Sequence, residues 1–202
     1  MSFRWFRLAG LLALALVLSA CGGKSEQWSL YDVEGHVADL KFELSAAGGR
    51  TMTQADLRGK TVLLFFGYAS CPDVCPTTMA HLTEVLRRLG DKARDVRIVF
   101  VSVDPHRDTP DVLQAYVDAF NRNAIGLTGS ESQVAALARR YRVAYQIEKP
   151  RPGDDPEVYD VTHSRGIYIF DNRGKARLLA SDAESVDALT HDVGQLVDLT
   201  AG

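Results

Sequence analysis

The run Lys60-Thr-Val-Leu-Leu-Phe-Phe-Gly67 constrains this chain more than any other stretch. It is continuously apolar, too short for a helix of ordinary length, and bounded by glycines, the pattern of a strand buried on both faces. A second run, Val96-Arg-Ile-Val-Phe-Val-Ser-Val103, has the same character. Between them Met79, Leu82, Val85, Leu86 and Leu89 recur at helical spacing and stop at Gly90. Two such strands need covering on both sides, so the rest of the chain must supply helices.

It does. Thr109-Pro110 reads as a cap followed by proline at the first helical position, with Val112, Ala115, Tyr116, Ala119 and Phe120 as the apolar face. A third helix is predicted over residues 131–141 and a last amphipathic one over 183–199. Residues 166–170 and 176–180 flank Asp171-Asn172-Arg173-Gly174, a hairpin turn by composition. Residues 37–44 and 50–53 predict a small hairpin at the front. The order implies an α/β domain with a central mixed sheet flanked by helices. Inside the long helix Pro76 would clash with the preceding turn, so a short turn over 72–75 is expected, with the helix starting at Pro76.

The N-terminus predicts where this domain works. Arg4 and Arg7 precede an almost unbroken apolar run, Leu8 to Leu18, too short to span a bilayer comfortably. Small residues then close it at Leu18-Ser19-Ala20-Cys21. The tetrapeptide resembles a bacterial lipobox, which implies a signal peptide over 1–20 and a lipidated Cys21. A polar tether over 21–29 and one domain over 30–202 would follow, held on the extracytoplasmic, periplasmic side of a bacterial membrane. Removing residues 1–20 takes two of 23 basic groups and none of 26 acidic ones. The mature chain is therefore acidic and lacks a basic run, which gives no case for nucleic acid.

With Cys21 used by lipid, Cys71 and Cys75 are the remaining thiols of three cysteines. They stand in Gly67-Tyr-Ala-Ser-Cys-Pro-Asp-Val-Cys-Pro76. A disulfide there would close too short a loop to stabilise a domain of this size, so the pair is read as reactive. The spacing permits either a redox disulfide or a two-thiolate metal site. A position near a helix N-terminus favours the thiolate that both need. Asp73, between the thiols, could tune the site or meet a partner.

A redox-capable pair between the first main strand and its helix resembles the thioredoxin-like fold. In that fold the loop entering the later strand packs on the cysteine turn and usually carries a cis-proline. Here Val161-Thr-His-Ser-Arg165 holds His163 instead. His36, His81, His106 and His191 sit on approaches or solvated faces with nothing converging on them. Two thiolates and one imidazole form a soft set that suits copper, Cu(I) or Cu(II), whereas structural zinc normally takes four protein ligands.

The hexapeptide Cys71-Pro-Asp-Val-Cys-Pro76, then Val101-Ser-Val-Asp-Pro105, Arg107-Asp-Thr-Pro110 and His163-Ser164 together resemble the Sco family, also called SenC or PrrC-like. That resemblance implies a membrane-tethered copper metallochaperone rather than an enzyme, with Cys71, Cys75 and His163 as the metal ligands. It also implies a partner, the copper site of cytochrome c oxidase subunit II or another copper-site protein. Some relatives carry Asp before this histidine where this chain has Thr162, so Asp160 is considered as the residue that orients the ring. Asp104-Pro105 and Arg107 to Pro110 read as turn and capping chemistry. Two rivals use the same thiols: a thiol–disulfide oxidoreductase, disfavoured by the lack of C-x-x-C and cis-proline, and a redox or copper sensor. A peroxidase motif is absent, since Leu64 and Tyr68 stand where it would need Pro and Thr or Ser.

Overall fold

A computed structural model describes residues 27–148, 153, 155 and 158–200. The predicted signal peptide, Cys21 and most of the tether lie outside the described residues. Among those described, no helix is long and apolar enough to cross a membrane.

The chain begins with β1 (Tyr31–Asp32), then β2 (Glu43–Ala46) and β3 (Arg50–Thr53). β4 (Thr61–Gly67), α1 (Val74–Leu89), β5 (Val96–Ser102), α2 (Pro110–Asp118) and β6 (Ala124–Leu127) follow. Then come α3 (Glu131–Arg140), β7 (Tyr145–Ile147), β8 (Val161–His163), β9 (Gly166–Phe170), β10 (Ala176–Ser181) and α4 (Val186–Thr200). One six-stranded sheet runs in the order β1-β10-β9-β4-β5-β6. β4, β5 and β6 are parallel, while β9 pairs antiparallel to β4 and β10 antiparallel to β9. This is the expected mixed sheet flanked by helices.

Every residue of β4 is buried. Because successive side chains point to opposite faces, Phe65 meets Phe100 on one face, whereas Phe66 meets Tyr141 and Tyr168 on the other. α1 and α4 pack together, with Arg88 of α1 paired to Asp187 and Lys92, in the turn after α1, paired to Asp198. Thr109 caps α2 by accepting from the Val112 N–H at 3.3 Å, with Pro110 in the first turn, as expected. Ser130 and Gln133 form a reciprocal capping box at α3. The β9–β10 turn closes on Asp171, whose carboxylate accepts from the N–H groups of Arg173 and Lys175 at 2.9 Å each, and Gly174 takes the positive φ of 78°.

Three expectations need correction. The front hairpin forms, but its first strand is β2, Glu43–Ala46, not residues 37–44. Leu40 and Phe42 are buried there as loop residues, their N–H groups bound by the Gly174 carbonyl and the Gln54 side chain. α1 begins at Val74 rather than Pro76. Proline is tolerated in a first turn because its missing N–H would have no intrahelical partner there. α4 begins at Val186, three residues later than predicted. β1, β6 and the β7–β8 pair were not anticipated.

α2 lies so close on β6 that a Cβ added at Gly126 would fall 2.8 Å from both the main-chain carbon and the Cβ of Leu113. Backbone cannot yield as a side-chain tip can. Gly126→Ala should therefore destabilise the domain by about 1–3 kcal/mol. Urea unfolding will measure it, and an unchanged midpoint would mean the helix rides further from the sheet than described.

Candidate metal and thiol centre

Cys71 sits in the turn that leaves β4, and Cys75 in the first turn of α1. The glycine that ends β4 lets the helix approach. A Cβ at Gly67 would lie 2.7 Å from Cys75 Sγ and 2.9 Å from the Phe100 ring. Cys75 is fully buried and Cys71 partly exposed. The two thiols are free, and the Cys75 N–H points at Cys71 Sγ from 3.5 Å.

His163 ends β8, which among the described residues pairs only with β7. Its Nε2 lies 3.5 Å from Cys75 Sγ. Its Nδ1 lies 2.9 Å from the Ser164 carbonyl oxygen. A carbonyl can only accept, so Nδ1 carries the proton and Nε2 presents its lone pair to the cysteines. The Ser164 carbonyl, not Asp160, thus orients the ring. Asp160 is exposed, and its own carbonyl accepts from the Glu148 N–H. Edge-on contacts with Phe65 and Tyr68, at centroid distances of 6.1 and 6.0 Å, wedge the imidazole in place.

Ligand atoms of Cys71, Cys75 and His163 all lie within 4.8 Å of one another, the one such group of three among the described residues. The structure therefore brings together residues 88 positions apart in sequence. None of the other histidines joins them. His36 meets the Glu34 carbonyl, His106 pairs with Glu131 at 2.8 Å and His191 with Asp192 at 2.8 Å, while His81 lies along α1. Asp73 is exposed immediately before α1.

The environment treats the thiols differently. Burial pushes Cys75 well above the ordinary thiol range, and the neighbouring Cys71 adds to the rise. Burial also opposes ionisation of Cys71, but hydrogen bonds from the N–H groups of Cys75, Asp73 and Val74 and from the Cys75 side chain more than offset it. Its pKa falls below the usual value. Tyr68, buried and beside Cys71, is pushed up to about 12 and stays protonated. Burial lowers His163 below its ordinary value, which keeps the ring neutral and able to act as a ligand. Two sulfurs and one neutral imidazole at this spacing fit a soft metal ion, and equally fit an asymmetric dithiol.

One buried polar cluster beside the site was read as turn and cap alone. Asp104 and Asp108 are fully buried next to the cysteine turn, with Asp108 accepting from the Ala69 N–H at 2.9 Å. Arg107 donates to Asp104 and to the Tyr159 carbonyl. An acid after a strand reads as turn chemistry in sequence, and nothing in its neighbours signals burial.

The SCO1/SenC family model matches residues 33–198. An SCO2-like protein of Rickettsia felis is 37% identical over 134 residues, covering 66% of this chain and 64% of the relative. The chain thus spans slightly less than two thirds of that relative's length. ScoI of Arabidopsis thaliana, solved with copper bound, superposes with a TM-score of 0.72 at 33% identity, over 80% of this chain and 98% of that one. BsSco, described as having a disulfide switch and as a member of the Sco family of cytochrome c oxidase assembly proteins, superposes with a TM-score of 0.59 at 25% identity, over 88% and 99%.

The thiol asymmetry has a direct readout. In reduced, metal-free protein, brief iodoacetamide treatment at neutral pH should label Cys71 well before Cys75. Because the Cys71 pKa is lowered, its rate should reach its plateau at a lower pH than a free cysteine's. Peptide mass spectrometry of a pulse-labelled series checks this, and equal labelling of the two thiols would refute the assigned environments.

Proposed function

The chain belongs to the SCO1/SenC family, and from that membership and the geometry of its thiol–imidazole group we propose that it is a membrane-tethered copper metallochaperone. In this reading Cys71, Cys75 and His163 take copper as cargo. The observation that carries the proposal is the convergence of two thiols and the free Nε2 of a tautomer-fixed histidine within 4.8 Å. A copper-bound relative with the same fold supports the choice of metal.

Delivery follows from exposure. Cys71 is the accessible, more acidic thiol, and so the natural point for an incoming ligand to compete. Cys75, fully buried, and His163, partly buried, would keep hold of the metal meanwhile. A partner thiolate or imidazole would displace Cys71 first, then these two, passing copper by ligand exchange. The partner we assign is the copper site of cytochrome c oxidase subunit II. BsSco's description as an assembly protein of that oxidase supports the assignment. The apolar segment and Leu18-Ser-Ala-Cys21 support a lipid anchor at Cys21 on the periplasmic side.

The same asymmetry favours a second reading, thiol–disulfide exchange. Cys71 thiolate attacks one sulfur of a partner disulfide, forming a mixed disulfide and releasing the other sulfur as thiolate. Cys75, once deprotonated, attacks Cys71 Sγ, releasing the second partner thiolate. The partner gains two electrons, and this chain is left with a Cys71–Cys75 disulfide. Such a step would prepare partner cysteines to receive copper, and a reductant dithiol would have to reset the pair.

His163→Ala should weaken Cu(I) binding by about a hundredfold or more, since losing one of three ligands must exceed the 10–100-fold cost of losing an outer partner. Competition titration of reduced, anaerobic protein lacking residues 1–21 measures it. An unchanged affinity excludes His163 from the ligand set and leaves the redox reading. Independently, Cys21→Ser expressed from the full-length chain should yield protein without acyl groups. Mass spectrometry showing the acylated form unchanged would overturn the anchor.

A further inference from the structure

β4 leads into the cysteine turn and its antiparallel partner β9 begins three residues after His163, but the strand that carries His163 itself lies outside the central sheet. β7 and β8 form a separate two-stranded ribbon. A ribbon of this size is marginal by itself and takes its position from whatever grips it. At the His163 end the ribbon runs directly into β9, whose first residue is Gly166; the bonds from the Ser164 N–H to the Ala144 carbonyl at 2.8 Å and from the Ala144 N–H to Ser164 Oγ at 3.0 Å extend the ribbon's own ladder. At the other end, two residues before β8, Tyr159 is held from the cysteine side of the molecule.

That hold is a continuous polar chain. The Ala69 N–H, two residues before Cys71, donates to Asp108 Oδ2 at 2.9 Å, and Ser102 Oγ donates to the same oxygen at 2.6 Å. Ser102 Oγ in turn accepts from the Asp104 N–H at 2.9 Å. The Asp104 carboxylate is fully buried and splits its two oxygens. Oδ2 takes Arg107 Nε, and Oδ1 takes the Tyr159 hydroxyl at 2.8 Å. Arg107 then closes the loop, with Nη1 donating to the Tyr159 carbonyl at 2.9 Å and its guanidinium stacked 3.7 Å from the Tyr159 ring centroid. Its other flank faces the Tyr68 ring, 5.6 Å from the centroid, and that ring also touches His163.

We propose that Arg107 is a positioning residue: locked by Asp104, it clamps Tyr159 and so sets the ribbon that carries His163 against the turn that carries Cys71. A guanidinium suits this task because its planar fork serves the carboxylate and the carbonyl at fixed angles while its face packs on aromatic rings. An ammonium keeps the charge for Asp104 but cannot hold both bonds and the stack in one plane. The metal-affinity part of the proposal rests on the copper reading above; the anchoring of the ribbon does not.

Two variants test it. Arg107→Lys retains a cation beside buried Asp104, and Tyr159→Leu removes the ring and hydroxyl while leaving the Arg107–Asp104 pair intact. Amide hydrogen exchange on reduced, copper-free protein gives one readout, and Cu(I) competition on the same samples gives the other. The expected result is faster exchange in β7–β8 with β4 unchanged, and Cu(I) affinity reduced about 10–100-fold, the range for residues that orient ligands. Faster exchange across β4 as well would reveal plain destabilisation and overturn the positioning role. So would unchanged protection of β7–β8, or local loosening with wild-type affinity. His163→Ala runs beside them: if it binds Cu(I) as tightly as wild type, the copper reading fails, and exchange alone then judges the clamp.

Discussion

Burial of β4 on both faces is the constraint on which the rest depends. A strand without solvent on either side must be hydrogen-bonded at both edges, and here β5 and β9 supply those edges. Its two central phenylalanines then divide the labour. Phe66 anchors the aromatic cluster with Tyr141 and Tyr168, while Phe65 supports both Phe100 and the imidazole of His163. Where β4 stops, at Gly67, the chain turns directly into the cysteines. The cysteines thus follow directly from a fully buried strand, and their placement is inherited from core packing.

His163 is held differently. The central ladder stops at β9, three residues past it, so the imidazole is placed by that covalent link, by ring contacts, by the Ser164 carbonyl and by the Asp104–Arg107–Tyr159 chain. The two sulfurs also stand close enough to interact directly, which is what a dithiol needs in order to oxidise.

The parts legible in the sequence are those where one local pattern dominates. β4 and β5 show as unbroken apolar runs, α2 as Thr109-Pro110, and the β9–β10 turn as Asp171 to Gly174. The cysteine turn and His163 were legible through motif and fold order together. What stayed hidden was short or decided by distant contacts. β1 has two exposed residues, and the β7–β8 ribbon alternates too briefly to register. Leu40 and Phe42 looked like strand because they are apolar, but they are buried as loop, their N–H groups satisfied from Gly174 and Gln54. Asp104 and Asp108 looked like turn acids, yet both are buried, because Arg107, Ser102, Tyr159 and the Ala69 N–H happen to converge on them.

The register of β1 carries a consequence for geometry at the lipid surface. Tyr31 pairs with Leu179 and Asp32 with Leu178, so the chain reaches β1 from the end of the sheet where β10 finishes and β9 begins. β4 also finishes at that end, and the thiols lie just beyond it. Asp192 fixes the approach by accepting from the N–H groups of Ser29 and Leu30 at 2.8 Å each. With an acyl chain on Cys21, the seven residues between it and Ser29 could extend no more than about 25 Å. On the anchor proposed above, tether and reactive pole would leave the domain at the same end of the sheet, with the tether limiting how far the domain can stand from the headgroups.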